Sequence, residues 1–144
     1  MIRAFVLLAA CAAMMTSPAA AQQGGYVVIV IDANSISALT TEELSKIFFK
    51  KAQRWPNGFD VVPVDLPESA PVREAFSVQV HGKSVGAVRA YWQQQIFSGR
   101  AVPPAERPSD EQVVAFVRST PGAIGYVSTG ATLSPGVRRL QVVR

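Results

Sequence analysis

The segment Tyr26–Ile31 reads YVVIVI and is apolar at every position. A strand with one wet face alternates polar and apolar residues, so an unbroken run predicts a strand buried on both faces. Such a strand needs a covering layer on each side. In a chain of 144 residues this means helices packed over a sheet, an α/β architecture in one domain.

The rest of the chain supplies those layers. Asp32-Ala33-Asn34-Ser35 ends the first strand with turn formers. Thr40 and Glu43 form a capping box ahead of Leu44, Ile47 and Phe48 at helical spacing. Lys46, Lys50 and Lys51 close that helix, and Trp55-Pro56-Asn57-Gly58 turns the chain into a second apolar run, Phe59–Leu66. Strand, helix and strand in this order predict a βαβ unit with parallel pairing. Three helices follow: 71–80 with Val72, Phe76 and Val80 on one face, 84–97 with Val85, Val88, Trp92 and Ile96, and 109–119 with Val113, Phe116 and Val117. Gly82 and Gly99 sit where the first two end. Arg100–Pro108, with three prolines, reads as a stiff connection, and short strands are expected at 123–127 and 137–143.

Residues 1–21 have the layout of a secretory signal: Arg3, the apolar run Ala4–Met15, a break at Thr16-Ser17-Pro18, and Ala19-Ala20-Ala21 before cleavage. The run is shorter than the roughly 20 apolar residues a membrane span needs. Leu8-Ala9-Ala10-Cys11 also matches the short pattern of a lipidated cysteine. Beyond the leader, 22–144 contains no cysteine, so no disulfide framework is available and the core alone must hold the domain. Fourteen Lys and Arg against ten Asp and Glu give a net charge of +4, too small and dispersed to argue for nucleic acid. Arg138, Arg139 and Arg144 read as a solvated basic tail.

Ligands of open α/β sheets bind outside the carboxyl ends of the strands. Here those ends carry Asp32, Asn34 and Ser35 after the first strand, and Asp65, Ser69 and, one turn into the next helix, Arg73 after the second. These six residues are the candidate site; turn and cap duty is the alternative for Asp32, Asn34 and Ser69. A hydrolase reading uses Ser69, His81 and Asp65, but helical rise puts His81 some 15 Å from Ser69, and the G-x-S-x-G setting of a nucleophile is missing. His81 fits a helix cap better. Lys46, Lys50, Lys51 and Arg54 form either a phosphate patch or a helix C-terminus with matched dipole. Trp55, Tyr91 and Trp92 form either a ligand platform or core. No metal-ligand spacing is present, and no cofactor is implied.

LTTEELSKIFFKKAQRWPNG, VVPVDLPESAPVREAF, YWQQQIFSG and PGAIGY, in this order, resemble the periplasmic phosphate-binding proteins of ATP-binding cassette transporters, and more closely their short, single-lobe relatives. The resemblance implies a periplasmic-binding-protein type II lobe over 22–144, with a mixed, mostly parallel sheet flanked by helices. It further implies a periplasmic, non-catalytic solute-binding protein, a small anion or other solute as ligand, and a transporter or sensor as protein partner. The alternative is a protein-interaction module without a small ligand. Phosphate-binding relatives carry an arginine after the second strand and then Ser-Gly-Thr at the helix start. Here the region reads Asp65 to Pro71, and only Ser69 carries over. Pro71 lacks an N–H, and Asp65 and Glu68 oppose an anion. Weak or absent phosphate binding is the expectation.

Overall fold

The computed structural model describes residues 25–144. The expected leader, with Cys11, lies outside the described residues. Strand β1, Tyr26–Ile31, is followed by a three-residue strand β2, Ala38–Thr40, and helix α1, Thr41–Phe48. The capping box forms: the Glu43 amide donates to Thr40 Oγ1 at 3.1 Å and the Thr40 amide to Glu43 Oε2 at 2.8 Å. Leu44, Ile47 and Phe48 are buried, as their spacing predicts.

Strand β3, Val62–Asp65, is shorter than the apolar run 59–66, and Phe59 is exposed before it. Helix α2, Pro71–Phe76, widens into a π-helical turn over Ser77–His81, which Gly82 closes at φ 63°. Val72, Phe76 and Val80 are buried. Helix α3, Val85–Phe97, buries Val85, Val88 and Trp92 but leaves Ile96 and Phe97 in solvent. Ile96 therefore does not complete the predicted stripe. The proline-rich connection contributes β4, Ala105–Glu106, at the sheet edge. Helix α4, Asp110–Ser119, and strands β5, Ala123–Ser128, and β6, Val137–Val143, complete the chain.

The six strands lie in the order β2-β6-β1-β5-β3-β4. Pairings β2–β6, β5–β3 and β3–β4 are parallel, and β1 runs antiparallel to both neighbours, β5 and β6. This corrects the expected parallel unit of β1, α1 and β3. β5 lies between β1 and β3, and those two strands run in opposite directions. The reason is β2, too short to announce itself in the sequence. It reverses the chain after β1, so the strand–helix–strand unit is β2-α1-β3, whose two strands do run the same way.

Two successive residues of β5 show the layers. A Cβ on Gly125 would lie 2.7 Å from Val113 and 3.4 Å from Val117 of α4, and 2.8 Å from Val64, so only glycine lets α4 this close. The next side chain points to the other face, where Tyr126 stacks on Phe76 of α2 at 3.8 Å, with Phe48 of α1 against both. Helices thus cover both faces, and Val28, Ile29 and Val30 are fully buried between them. Gly122 is required for a different reason: at φ 80° it takes a conformation other residues resist, and a Cβ there would meet the Asp60 carbonyl at 2.0 Å. Trp55 Nε1 donates to the Gly122 carbonyl at 2.9 Å, pinning the turn before β3 to the loop before β5.

Candidate functional site

The register separates the candidate site into two halves. Ile31 pairs with Val137 and Val30 with Ile124, while Val62, the first residue of β3, pairs with Ala123. The carboxyl end of β1 therefore lies beside the amino end of β3, and Asp32, Asn34 and Ser35 sit at the opposite end of the sheet from Asp65, Ser69 and Arg73. A single site made of all six does not form. Placing both strand ends together required β1 and β3 to be parallel.

At the first end, Asn34 is buried and its Oδ1 accepts the Ile36 amide at 2.9 Å. Arg138 reaches in from β6 and its Nη2 donates to the Asn34 carbonyl at 2.6 Å and to the Ile36 carbonyl. Arg138 is thus a loop clamp and not part of a solvated tail. Asp32 and Ser35 are exposed. The adjoining hollow, about 200 Å³, is lined by Asn34, Trp55, Asn57, Phe59 and Pro121, and offers little for a charged ligand.

At the second end the side chains converge. Asp65 Oδ1 accepts from the Tyr126 hydroxyl, from the Leu66 amide at 3.2 Å, and from Arg73 Nη1 at 3.1 Å. Arg73 Nη1 also donates to the Leu66 carbonyl and lies 3.8 Å from Glu106 Oε2. Asp65 and Arg73 are both buried, and Glu106 is half-exposed. Burial pushes the Asp65 carboxyl up to about 6, while Arg73 and then the Tyr126 hydroxyl pull it back. Burial, with the Asp65 charge beside it, pushes the Tyr126 phenol far above its ordinary value. Glu68 is held by Arg89 of α3 at 2.6 Å. The Leu66, Ala70 and Arg73 amides are engaged within the loop, on Asp65 Oδ1, the Pro67 carbonyl and the Ala70 carbonyl. Pro71 at the first helical position has no amide proton to offer. Ser69 is exposed, and Ala70, not Ser69, is the helix N-cap.

The sequence did not single out Tyr126 or Glu106 as members of this cluster. The only available signal was PGAIGY itself, where a tyrosine on a strand buried on both faces needs a partner for its hydroxyl. His81 is not a cap either. Its Nδ1 lies 2.8 Å from Ser45 Oγ of α1, and its ring packs between Phe49 and Phe76. Burial, and then Arg73 and Lys83, push it down to about 4. His81 and Asp65 face different partners, Ser69 is exposed, and the three do not assemble as a triad. The basic cluster is engaged locally: Lys46 with Glu42 at 2.6 Å, Lys50 with the Pro103 carbonyl at 3.3 Å, and Lys51 over Phe49. Trp55 and Trp92 are core residues. A larger open groove lined by Thr40, Glu42, Ser45, Gln79, Arg139 and Arg144 contains none of the six candidates.

No family model matches the sequence, and no curated protein does. Solved structures do. An ABC-type phosphate transport receptor from Vibrio cholerae matches with a TM-score of 0.65 at 19% identity, over 83% of this chain and 46% of that one. The chain shares its fold with these transport proteins. A putative phosphate ABC transporter substrate-binding protein from Clostridium perfringens, solved with bound phosphate, gives 0.64 at 21% identity over 83% and 45%. A possible phosphate binding protein from Planctomyces limnophilus gives 0.63 at 16% over 83% and 42%. The chain spans less than half the length of each, as a partial, single lobe. Among the described residues no helix is long and apolar enough to cross a membrane, and no three His, Cys, Asp or Glu side chains gather as metal ligands would.

Proposed function

We propose that the protein is a secreted, periplasmic, non-catalytic solute-binding-like lobe, related to phosphate transport binding proteins, that does not take free phosphate at its β3–α2 loop. The shared fold supports the relation. The observation that carries the second part is the Asp65, Arg73 and Tyr126 cluster. The arginine one turn into the helix already faces two carboxylates, the other loop carboxylate holds Arg89, and a divalent anion at the loop would meet the charges of Asp65 and Glu68. Two unit repulsions at about 4 Å together cost roughly 2 to 8 kcal/mol between bulk water and a surface-like dielectric, and a helix N-terminus returns only about 0.3 to 2 kcal/mol. Isothermal titration of the mature protein with phosphate at low salt tests this. No heat at millimolar phosphate is expected, and saturable binding refutes the reading.

A second reading is a protein-interaction module that docks a transporter or sensor. Ile96 and Phe97, exposed at the end of α3, and Val102, exposed five residues further along the chain, favour it, because exposed large apolar side chains are candidates for contact surfaces. Pull-down from periplasmic extract with the wild type and with Phe97→Ser separates the two: a partner retained equally by both counts against this surface.

A further inference from the structure

We infer that Arg73, the Tyr126 hydroxyl and the Leu66 amide form a carboxylate-binding cluster whose resident ligand is the chain's own Asp65, so that a small external carboxylate enters only when that side chain is removed. Three donors from three different segments, the end of β3, α2 and β5, meet on one oxygen, Asp65 Oδ1. That convergence is the arrangement by which proteins hold a bound carboxylate, with a guanidinium supplying charge and O–H and N–H donors supplying direction.

The setting is built and not incidental. Asp65 and Arg73 are buried, the Tyr126 ring is fixed by its stack on Phe76, and the Arg73 guanidinium is steadied by the Leu66 carbonyl and faced by Glu106. These donors stay in place if the Asp65 side chain is shortened, because each is positioned by something other than Asp65. Asp65→Ala removes one carboxylate group and leaves a space of that size beside a buried guanidinium. Formate is the probe of matching charge, shape and volume. The inference holds whichever partner or solute the lobe serves.

The test is thermal unfolding of Asp65→Ala in sodium formate against sodium chloride at equal ionic strength. Formate should raise its melting temperature saturably and chloride should not, while the wild type, whose site is filled, should respond equally to both. Adding Arg73→Gln to Asp65→Ala should weaken the formate effect about ten- to a hundredfold in concentration, the loss of a charge-assisted hydrogen bond. Equal responses to the two salts in Asp65→Ala, or a formate effect that survives Arg73→Gln, would overturn the inference. If Asp65→Ala does not fold in chloride, refolding becomes the readout: recovery in formate that Arg73→Gln abolishes supports the inference, and recovery that Arg73→Gln leaves intact overturns it. If Asp65→Ala folds in neither salt, the isosteric Asp65→Asn decides by hydrogen exchange. The Arg73 guanidinium protons should exchange slowly in the wild type and at least tenfold faster in Asp65→Asn, and unchanged exchange would overturn the inference.

Discussion

At one end of the sheet Arg73 lies buried against the Asp65 carboxylate, and at the other Arg138 lies half-buried against the backbone carbonyls of Asn34 and Ile36. Both arginines follow the same local rule, donating to oxygens just past a strand. They differ in what surrounds them. Arg73 lies on the buried face of α2 with its charge matched by acidic side chains, in a medium where an unmatched charge is costly. Among the described residues Arg138 pairs with no carboxylate, and it holds a loop that water also reaches. A charged residue near a strand end is therefore not yet a binding site; burial and the identity of the partner decide whether its charge is available to a ligand.

This contrast should show most strongly in stability. Arg73→Gln leaves a buried carboxylate without its cation and should cost about 3 to 5 kcal/mol, read by urea unfolding. A loss no greater than that of Arg138→Gln would mean that burial is not what separates the two ends.

Next in size is the pH dependence. Asp65 is held above its usual 3.8, at about 6, chiefly by burial, so its contribution is full below about pH 4 and lost as pH rises through about 6. His81 is held below its usual 6.5, at about 4, chiefly by burial, so its contribution is full above about pH 6.5 and lost as pH falls through about 4. The two oppose each other across this window. Relative to the wild type, Asp65→Asn should therefore lose stability toward pH 4, and His81→Gln should gain in the same direction. Unfolding free energies measured from pH 4 to 7 check both slopes, and parallel curves for all three proteins would contradict the assigned shifts.

A weaker response belongs to the other end. Arg138→Gln should cost roughly 0.5 to 1.5 kcal/mol, because water replaces much of what the guanidinium gives the two carbonyls. Its signature should be local, with faster hydrogen exchange at Ile36 and Asp32 than elsewhere. A global loss would make Arg138 as central as Arg73.

Much of the architecture was legible from residues. YVVIVI predicted a strand covered on both faces, Thr40 and Glu43 predicted where α1 starts, and the spacing of Val72, Phe76 and Val80 predicted a buried face. These signals are local: burial periodicity and capping depend on neighbours within a few positions. Strand β2 was not legible, because three residues carry no period, and with it went the direction of β1 relative to β3. Of the candidate site residues, Asp65 and Arg73 lie in contact, and Asp32, Asn34 and Ser35 lie at the opposite end of the sheet.

Residue pattern alone was thus enough for the layers and for the start of α1. It was not enough to show that Arg73 turns inward, that Tyr126 crosses from β5 to meet Asp65, or that the two strand ends face opposite ways. Those outcomes depend on pairings between positions as far apart as Asp65 and Tyr126. Sheet register sets such pairings, and register is a property of the packed whole.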